Sequence, residues 1–317
     1  MKKKLIISYE QGYDNWYISE FYKYFHSKLS DNSDIEFEYM SLRQLSLNFN
    51  QEFQTHSSTI FNWYNLVVYN PNNEKMFIHS WYDYAPEMIE FSVNNNFNIV
   101  KFSCVSNLTD KIIDKYKDNF IVQPSVYCLE NWSDIDMITS ITKPKVRQNK
   151  AYFNGLNHGY RENIMNCLSN NEFFNIRTKV NPKHFRQKND YYSELSNYNY
   201  GVSLNGAANI CYRDLELFGL GVLNLRQPLN SKTYVPLIKN IHYIELFDDN
   251  LCDQIIFNHN NPDKVISEKV EELMDFSTTK EYDNIINESK KWFIDNCLPE
   301  NQYNILVSFF ENFDIFF

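Results

Sequence analysis

The feature that most constrains this chain is an alternation of short apolar runs with amphipathic stretches, which breaks once and then starts again. In the first half, Leu5-Ile6-Ile7-Ser8-Tyr9 reads as a strand with a turn at Gln11-Gly12. Asp14 then caps a helix whose Trp16, Phe21, Tyr24, Phe25 and Leu29 recur at helical spacing. Ile35 to Tyr39 alternates at period two, and Leu66 to Tyr69 is a strand stopped by Asn70-Pro71-Asn72-Asn73. Helices over Pro86–Val93 and Asp110–Lys117 and strands over Ile99–Phe102 and Phe120–Val122 complete the series. Strands that alternate with helices imply parallel sheets covered on both faces.

Residues 129–149 show no sustained period and read as a linker. Beyond them, strands are expected over Ala151–Phe153, Phe173–Arg177, Tyr200–Leu204, Val222–Leu225 and His242–Leu246. Helices are expected over Tyr160–Leu168, Asp190–Leu195, Tyr212–Phe218, Pro262–Met274, Glu281–Asn296 and Glu300–Phe313. With 317 residues there is material for two cores. The expected division is a first α/β domain over 1–130, a second over 150–280, and C-terminal helices over 281–317 that cross back to the first.

Charge and cysteine usage exclude several classes. A net charge of −10 speaks against a nucleic-acid partner, whose phosphates demand a basic face. The 6 cysteines lack any CxxC pair, so they read as reduced thiols and not as a disulfide frame or zinc site. The apolar run after Met1-Lys2-Lys3-Lys4 is too short for an export signal, and no stretch approaches the roughly 20 apolar residues of a membrane span. A cytoplasmic protein without a transmembrane segment is the expectation.

Open α/β sheets bind ligands beyond the carboxyl ends of their strands, which directs attention to loops 154–159 and 204–212. The second of these lies within YGVSLNGAANICYRDLELFGLGVLNL, residues 200–225. A strand leads into the small-residue loop Asn205-Gly206-Ala207-Ala208-Asn209, and a helix starts near Tyr212. Gly206 and Ala207 allow close approach to the backbone, and the helix start offers N–H groups to an anion. Arg213 and Glu216, three apart, share a helix face. A guanidinium can grip a diphosphate, and a carboxylate can accept from two ribose hydroxyls. The bland reading is an ion pair on a solvated helix.

This pattern resembles the donor half of GT-B glycosyltransferases, in particular the exostosin-like and CAP10-like groups, which implies two Rossmann-like domains, an acceptor side over 1–130 and a nucleotide-sugar side over 150–280. These carry a Gly-loop, an Arg, a Glu three residues later and a Gly five residues after that, here Gly206, Arg213, Glu216 and Gly221. The resemblance implies that Glu216 holds the ribose and Arg213 the diphosphate of a nucleotide-sugar. A weaker likeness joins Tyr152-Phe153-Asn154-Gly155 to Tyr160-Arg161-Glu162, which implies that Gly155 and Arg161 lie near the same phosphates. Retaining GT-B enzymes with two glutamates eight apart differ, since Ala208 stands at the first such position.

The function so implied is transfer of a sugar from a nucleotide-sugar donor to a hydroxyl of a glycan or glycoconjugate, with no cofactor and no metal. A non-catalytic nucleotide- or sugar-binding protein of the same fold is the alternative. His79, Asp83 and Asp14 are candidates for the base that deprotonates the acceptor, with Glu10 a further one. Asp134-Ile135-Asp136 has the spelling of a metal-binding Asp-x-Asp but lies in the apparent linker, so it is expected to be a solvated acidic turn.

Overall fold

The computed structural model describes residues 3–10, 18–32, 35–54, 59–81, 85–104, 108–118, 121–124, 132–142, 144–156, 161–179, 188–205, 209–248 and 263–311. The chain is mixed α/β and divides into two compact units. Unit 1 comprises 1–131, 230–236 and 299–317, and unit 2 comprises 132–229 and 237–298.

Unit 1 carries a sheet in the order β2-β1-β3-β4-β5-β6. Its strands are β1 (Lys3–Ser8), β2 (Ile35–Met40), β3 (Asn65–Asn70), β4 (Lys75–Ser80), β5 (Ile99–Cys104) and β6 (Ile121–Pro124). Helices α1 (Ile18–Asn32), α2 (Leu42–Asn48), α3 (Ala85–Asn94) and α4 (Asp110–Tyr116) connect them. The sheet is not uniformly parallel, as the alternation had implied. β3 runs antiparallel to both β1 and β4. The segment Pro71–Glu74 is a hairpin turn and not merely a strand stop. Asn70 Oδ1 accepts from Asn72 N–H at 3.0 Å, Asn73 Oδ1 accepts from Lys75 N–H at 3.1 Å, and Glu74 takes the left-handed conformation at φ 59°. So short a connection cannot carry a parallel crossover, and β4 must turn back along β3.

Unit 2 has an all-parallel sheet in the order β11-β10-β9-β7-β8. Its strands are β7 (Gln148–Leu156), β8 (Phe174–Lys179), β9 (Tyr198–Ser203), β10 (Leu223–Arg226) and β11 (Ile244–Glu245). Helices α5 (Trp132–Ser140), α6 (Arg161–Ser169), α7 (Lys188–Leu195), α8 (Tyr212–Leu220), α9 (Asp263–Phe276) and α10 (Lys280–Cys297) cover it. The segment read as a linker contains α5, which belongs to unit 2. Among its described side chains Asp134, Ile135 and Ile138 are buried, and an acid on the inward face hides the helical period. The C-terminal helices do not act as one block. The helix α10 counts with unit 2, while α11 (Pro299–Glu311) counts with unit 1, where Tyr303 packs on Phe25 of α1 at 5.8 Å between ring centroids. No described helix is long and apolar enough to cross a membrane.

Two glycines set the position of α8. A Cβ on Gly201 of β9 would fall 2.0 Å from Leu217 Cδ2, so the helix lies directly on a strand with no side chain there. A Cβ on Gly219 would fall 2.5 Å from Ile138 Cγ2 of α5 and 3.1 Å from the Phe293 ring of α10. Gly221 ends the helix in the left-handed conformation at φ 60°, and the Arg147 guanidinium donates to the carbonyls of Gly221 and Leu220 at 2.5 and 3.2 Å. Gly219 and Gly221 thus serve packing and capping. Since Leu217 is fully buried, Gly201→Ala overpacks the core and is expected to cost about 1–3 kcal/mol. Urea denaturation measures this as a lower midpoint with an unchanged m-value, and an unaltered midpoint would show that the close approach is relieved without cost.

Candidate functional site

The sheet order of unit 2 creates a crevice. From β7 the chain proceeds through α6 to β8 on one side, and from β9 through α8 to β10 on the other. Strands β7 and β9 are neighbours, so the connections diverge between them. A topological switch point of this kind opens a crevice beyond the strand ends. There the described residues Phe153, Arg161, Leu204, Cys211, Tyr212, Arg213 and Glu216 line a cavity of about 250 Å³.

Arg213 stands in the first turn of α8, and its side chain reaches back over β7. Nη2 donates to the Asn154 carbonyl at 2.6 Å, and the guanidinium lies 4.4 Å from the Phe153 ring centroid and 5.8 Å from that of Tyr191. Gly155 leaves room for it, since a Cβ there would fall 3.2 Å from Nη2. Nε and Nη1 each expose less than 1 Å² and have no hydrogen-bond partner among the described residues. Burial opposes its charge, but Tyr191, Glu216 and Cys211 outweigh that penalty and raise its pKa. Two buried donors without acceptors are costly on a cation unless an acceptor arrives to meet them.

Glu216 lies one turn along the same face. It does not simply pair with Arg213 across a solvated surface. Its Oε2 accepts from the Tyr191 hydroxyl at 3.0 Å and its Oε1 from the Tyr192 hydroxyl at 3.2 Å. Burial pushes its carboxyl above the usual range, against the opposing pull of the Arg213 charge and the two hydroxyls. Each carboxylate oxygen keeps a further lone pair for a ligand donor.

Arg161 has a different task. Its Nε donates to the Asn205 carbonyl and its Nη2 to the Leu204 carbonyl, both at 2.8 Å, with Nη2 also 3.5 Å from Cys211 Sγ. It clamps the end of β9 while lining the cavity. From the other side, Gln227 Oε1 accepts from Asn205 N–H at 2.7 Å, and Arg226 Nη2 donates to the Asn209 carbonyl at 2.6 Å. Both flanks of the small-residue loop are therefore held, while Gly206 and Ala207 themselves lie outside the described residues.

Arg226 and Asp214 were not singled out by the sequence. Both are almost wholly buried, with Nη1 3.4 Å from Oδ1. Asp214 also accepts from Asn224 Nδ2 at 2.7 Å and from the Cys211 N–H at 2.8 Å, which anchors the start of α8. The one signal was a basic residue at the end of a strand that carries Leu223 and Leu225. Tyr191 and Tyr192 had no signal at all among so many aromatic residues.

The candidates in unit 1 fare differently. His79 is buried on β4, where its Nε2 accepts from the Trp81 indole at 3.0 Å and its carbonyl accepts from the Tyr22 hydroxyl at 3.2 Å. Burial lowers its pKa to about 3, so it is a neutral core side chain and is withdrawn as the base. Asp14 and Asp83 lie outside the described residues. Glu10 is described, with Arg43 Nε 3.9 Å from its Oε2. Asp134 is no solvated turn: it is buried on α5, and Lys188 Nζ lies 2.5 Å from its Oδ2. Asp136 is exposed on the same helix.

Two outcomes follow from these contacts. Arg226→Met strands the buried Asp214 carboxylate and is expected to lower stability by about 3–5 kcal/mol, read from chemical denaturation; a loss below 1 kcal/mol would remove the pair as an anchor. The folded chain holds the Glu216 proton to a higher pH than the unfolded chain does, so this group withdraws stability as pH rises from the ordinary carboxylate value through its raised value. Glu216→Gln should remove that decline, seen as a flatter stability–pH profile above the ordinary carboxylate range, whereas an identical profile would mean that the group is unperturbed.

No family model matches the chain, and no curated protein matches it. Among solved structures, a chain of the GtfA/B complex is similar at a TM-score of 0.46 and 8% identity, over 70% of this chain and 47% of that one. The chain therefore spans less than half the length of that structure, and a likeness at this level assigns no activity.

Proposed function

We propose that unit 2 binds the nucleoside diphosphate of a nucleotide-sugar, and that the chain transfers the sugar to a hydroxyl of a glycan or glycoconjugate. The observation that carries this reading is Arg213: a permanently charged guanidinium at a switch-point crevice, with Nε and Nη1 sealed from water and lacking acceptors among the described residues. A diphosphate supplies several charged oxygens to such a fork. The start of α8 faces the same cavity and adds the positive end of a helix dipole. Glu216, steadied by Tyr191 and Tyr192, would take the ribose hydroxyls. Arg161, with Asn205, Gly206 and Ala207, shapes the loop beside the phosphates.

Sugar transfer breaks the bond between the anomeric carbon and the diphosphate oxygen, so negative charge grows on the leaving group. Cations and N–H donors already aimed at that oxygen stabilise it without having to reorganise. This is the basis for proposing a metal-independent, GT-B-type arrangement with the donor side in residues 150–280 and the acceptor side in 1–130. Deprotonation of the acceptor falls to a carboxylate of unit 1, with Asp14, Asp83 and Glu10 as the proposed set. The burial of His79 favours a second reading, a binding protein of the same fold without turnover.

Calorimetric titration with nucleoside, monophosphate, diphosphate and nucleotide-sugar separates these roles. Arg213→Gln should weaken the diphosphate and the sugar donor together, roughly ten- to hundredfold, as loss of a charge-assisted bond of about 1.5–3 kcal/mol requires, and leave the nucleoside unchanged. Glu216→Gln and, more mildly, Tyr191→Phe should weaken the nucleoside as well. Parent-like binding in both Arg213→Gln and Glu216→Gln would overturn the donor site. Turnover that survives EDTA supports the metal-independent mechanism, turnover restored only by Mn²⁺ or Mg²⁺ overturns it, and tight donor binding without turnover establishes the second reading.

A further inference from the structure

The thiol of Cys211 occupies a place in this cavity that nucleotide binding does not use. Cys211 precedes the first turn of α8 in extended conformation, at φ −120° and ψ 159°, and is partly exposed. Its Sγ donates to the Leu204 carbonyl at 3.3 Å and lies 3.5 Å from Arg161 Nη2. Across the same cavity stands Arg213, whose Nε and Nη1 lack acceptors among the described residues. Two other cysteines are differently placed. Cys297 is sealed in the core, where burial pushes its thiol well up, and Cys167 is partly buried on the far part of α6.

We propose that Cys211 is a modification site for small anionic electrophiles, which the Arg213 and Arg161 guanidinium groups hold against its sulfur, and that the adduct closes the cavity to a diphosphate. This rests on the anion-site reading of Arg213 and not on recognition of a nucleoside. With iodoacetate as the model reagent, the thiol proton leaves to solvent and the sulfur electron pair attacks the methylene carbon. An S–C bond forms, the C–I bond breaks, and iodide departs with its electron pair. The carboxylate of the product then lies beside the Arg213 guanidinium, which lines the same cavity. A thiolate is the attacking species, and a helix start beside two cations is the setting in which a cysteine supplies one. The cationic wall also raises the local concentration of an anionic reagent over a neutral one of the same size.

The experiment compares iodoacetate with iodoacetamide on the folded protein, with each cysteine quantified by mass spectrometry and Cys167 as internal reference. The iodoacetate-to-iodoacetamide rate ratio at Cys211 should exceed that at Cys167 by roughly tenfold, the low end of electrostatic steering, and fall as ionic strength rises. Inorganic pyrophosphate should protect Cys211, and Arg213→Gln should bring its ratio down to that of Cys167. In Cys211→Ser, iodoacetate treatment should no longer abolish pyrophosphate binding. Equal ratios at the two cysteines in the parent protein, or a preference insensitive to salt, would overturn the proposal even if the variants misfold. Pyrophosphate protection combined with absent nucleotide binding would overturn the nucleotide reading and support this one, while nucleotide binding with equal ratios would do the reverse.

Discussion

The carboxylate of Asp214 is the point on which unit 2 depends. It is fully buried and meets the Cys211 N–H, the Asn224 amide and the Arg226 guanidinium. Arg226 in turn holds the Asn209 carbonyl, so a single charge pair ties the start of α8, the end of β10 and one flank of the small-residue loop. Buried ion pairs often add little net stability compared with apolar packing, but an unpaired member is strongly unfavourable. The consequence is geometric: the start of α8 is held where the Asp214 carboxylate meets these three partners.

Packing supports the same placement from the other side. Gly201 and Gly219 lack side chains where α8 meets β9, α5 and α10, and Leu217, Ile138 and Phe293 fill the space so left. With the helix axis set by these contacts, Arg213 and Glu216 project into the crevice between β7 and β9. Neither is held by the other. Arg213 is seated by Phe153, Gly155 and the Asn154 carbonyl, and Glu216 by two tyrosines of α7. Each Glu216 oxygen has a hydroxyl partner, whereas Nε and Nη1 of Arg213 have none among the described residues.

Much of this was legible from residue order because it depends on local periodicity. The strands over 151–153 and 200–204, the helix over 212–218 and the spacing of Arg213 and Glu216 all follow from patterns a few residues long. The antiparallel β3 was legible in principle too, since Asn70-Pro71-Asn72-Asn73 leaves no room for a crossover, yet a stop signal and a hairpin share the same composition. The helix α5 escaped because its inward face includes Asp134, whose burial is made tolerable by Lys188, a residue remote in sequence.

By itself, the sequence determined the α/β class, the break between two series of elements and the helix that bears Arg213 and Glu216, because each is written in short-range hydrophobic periodicity and turn chemistry. Only the tertiary structure decided which strands are neighbours, and hence that the connections diverge between β7 and β9 to leave a crevice there. It also decided which polar groups are already satisfied: Arg161 by the carbonyls of Leu204 and Asn205, but His79 and Arg213 only in part, since His79 Nδ1 and Arg213 Nε and Nη1 lack partners among the described residues. Satisfaction of a hydrogen-bonding group depends on residues far away along the chain, which is why spacing could nominate these side chains but only packing could show which of their polar atoms have partners.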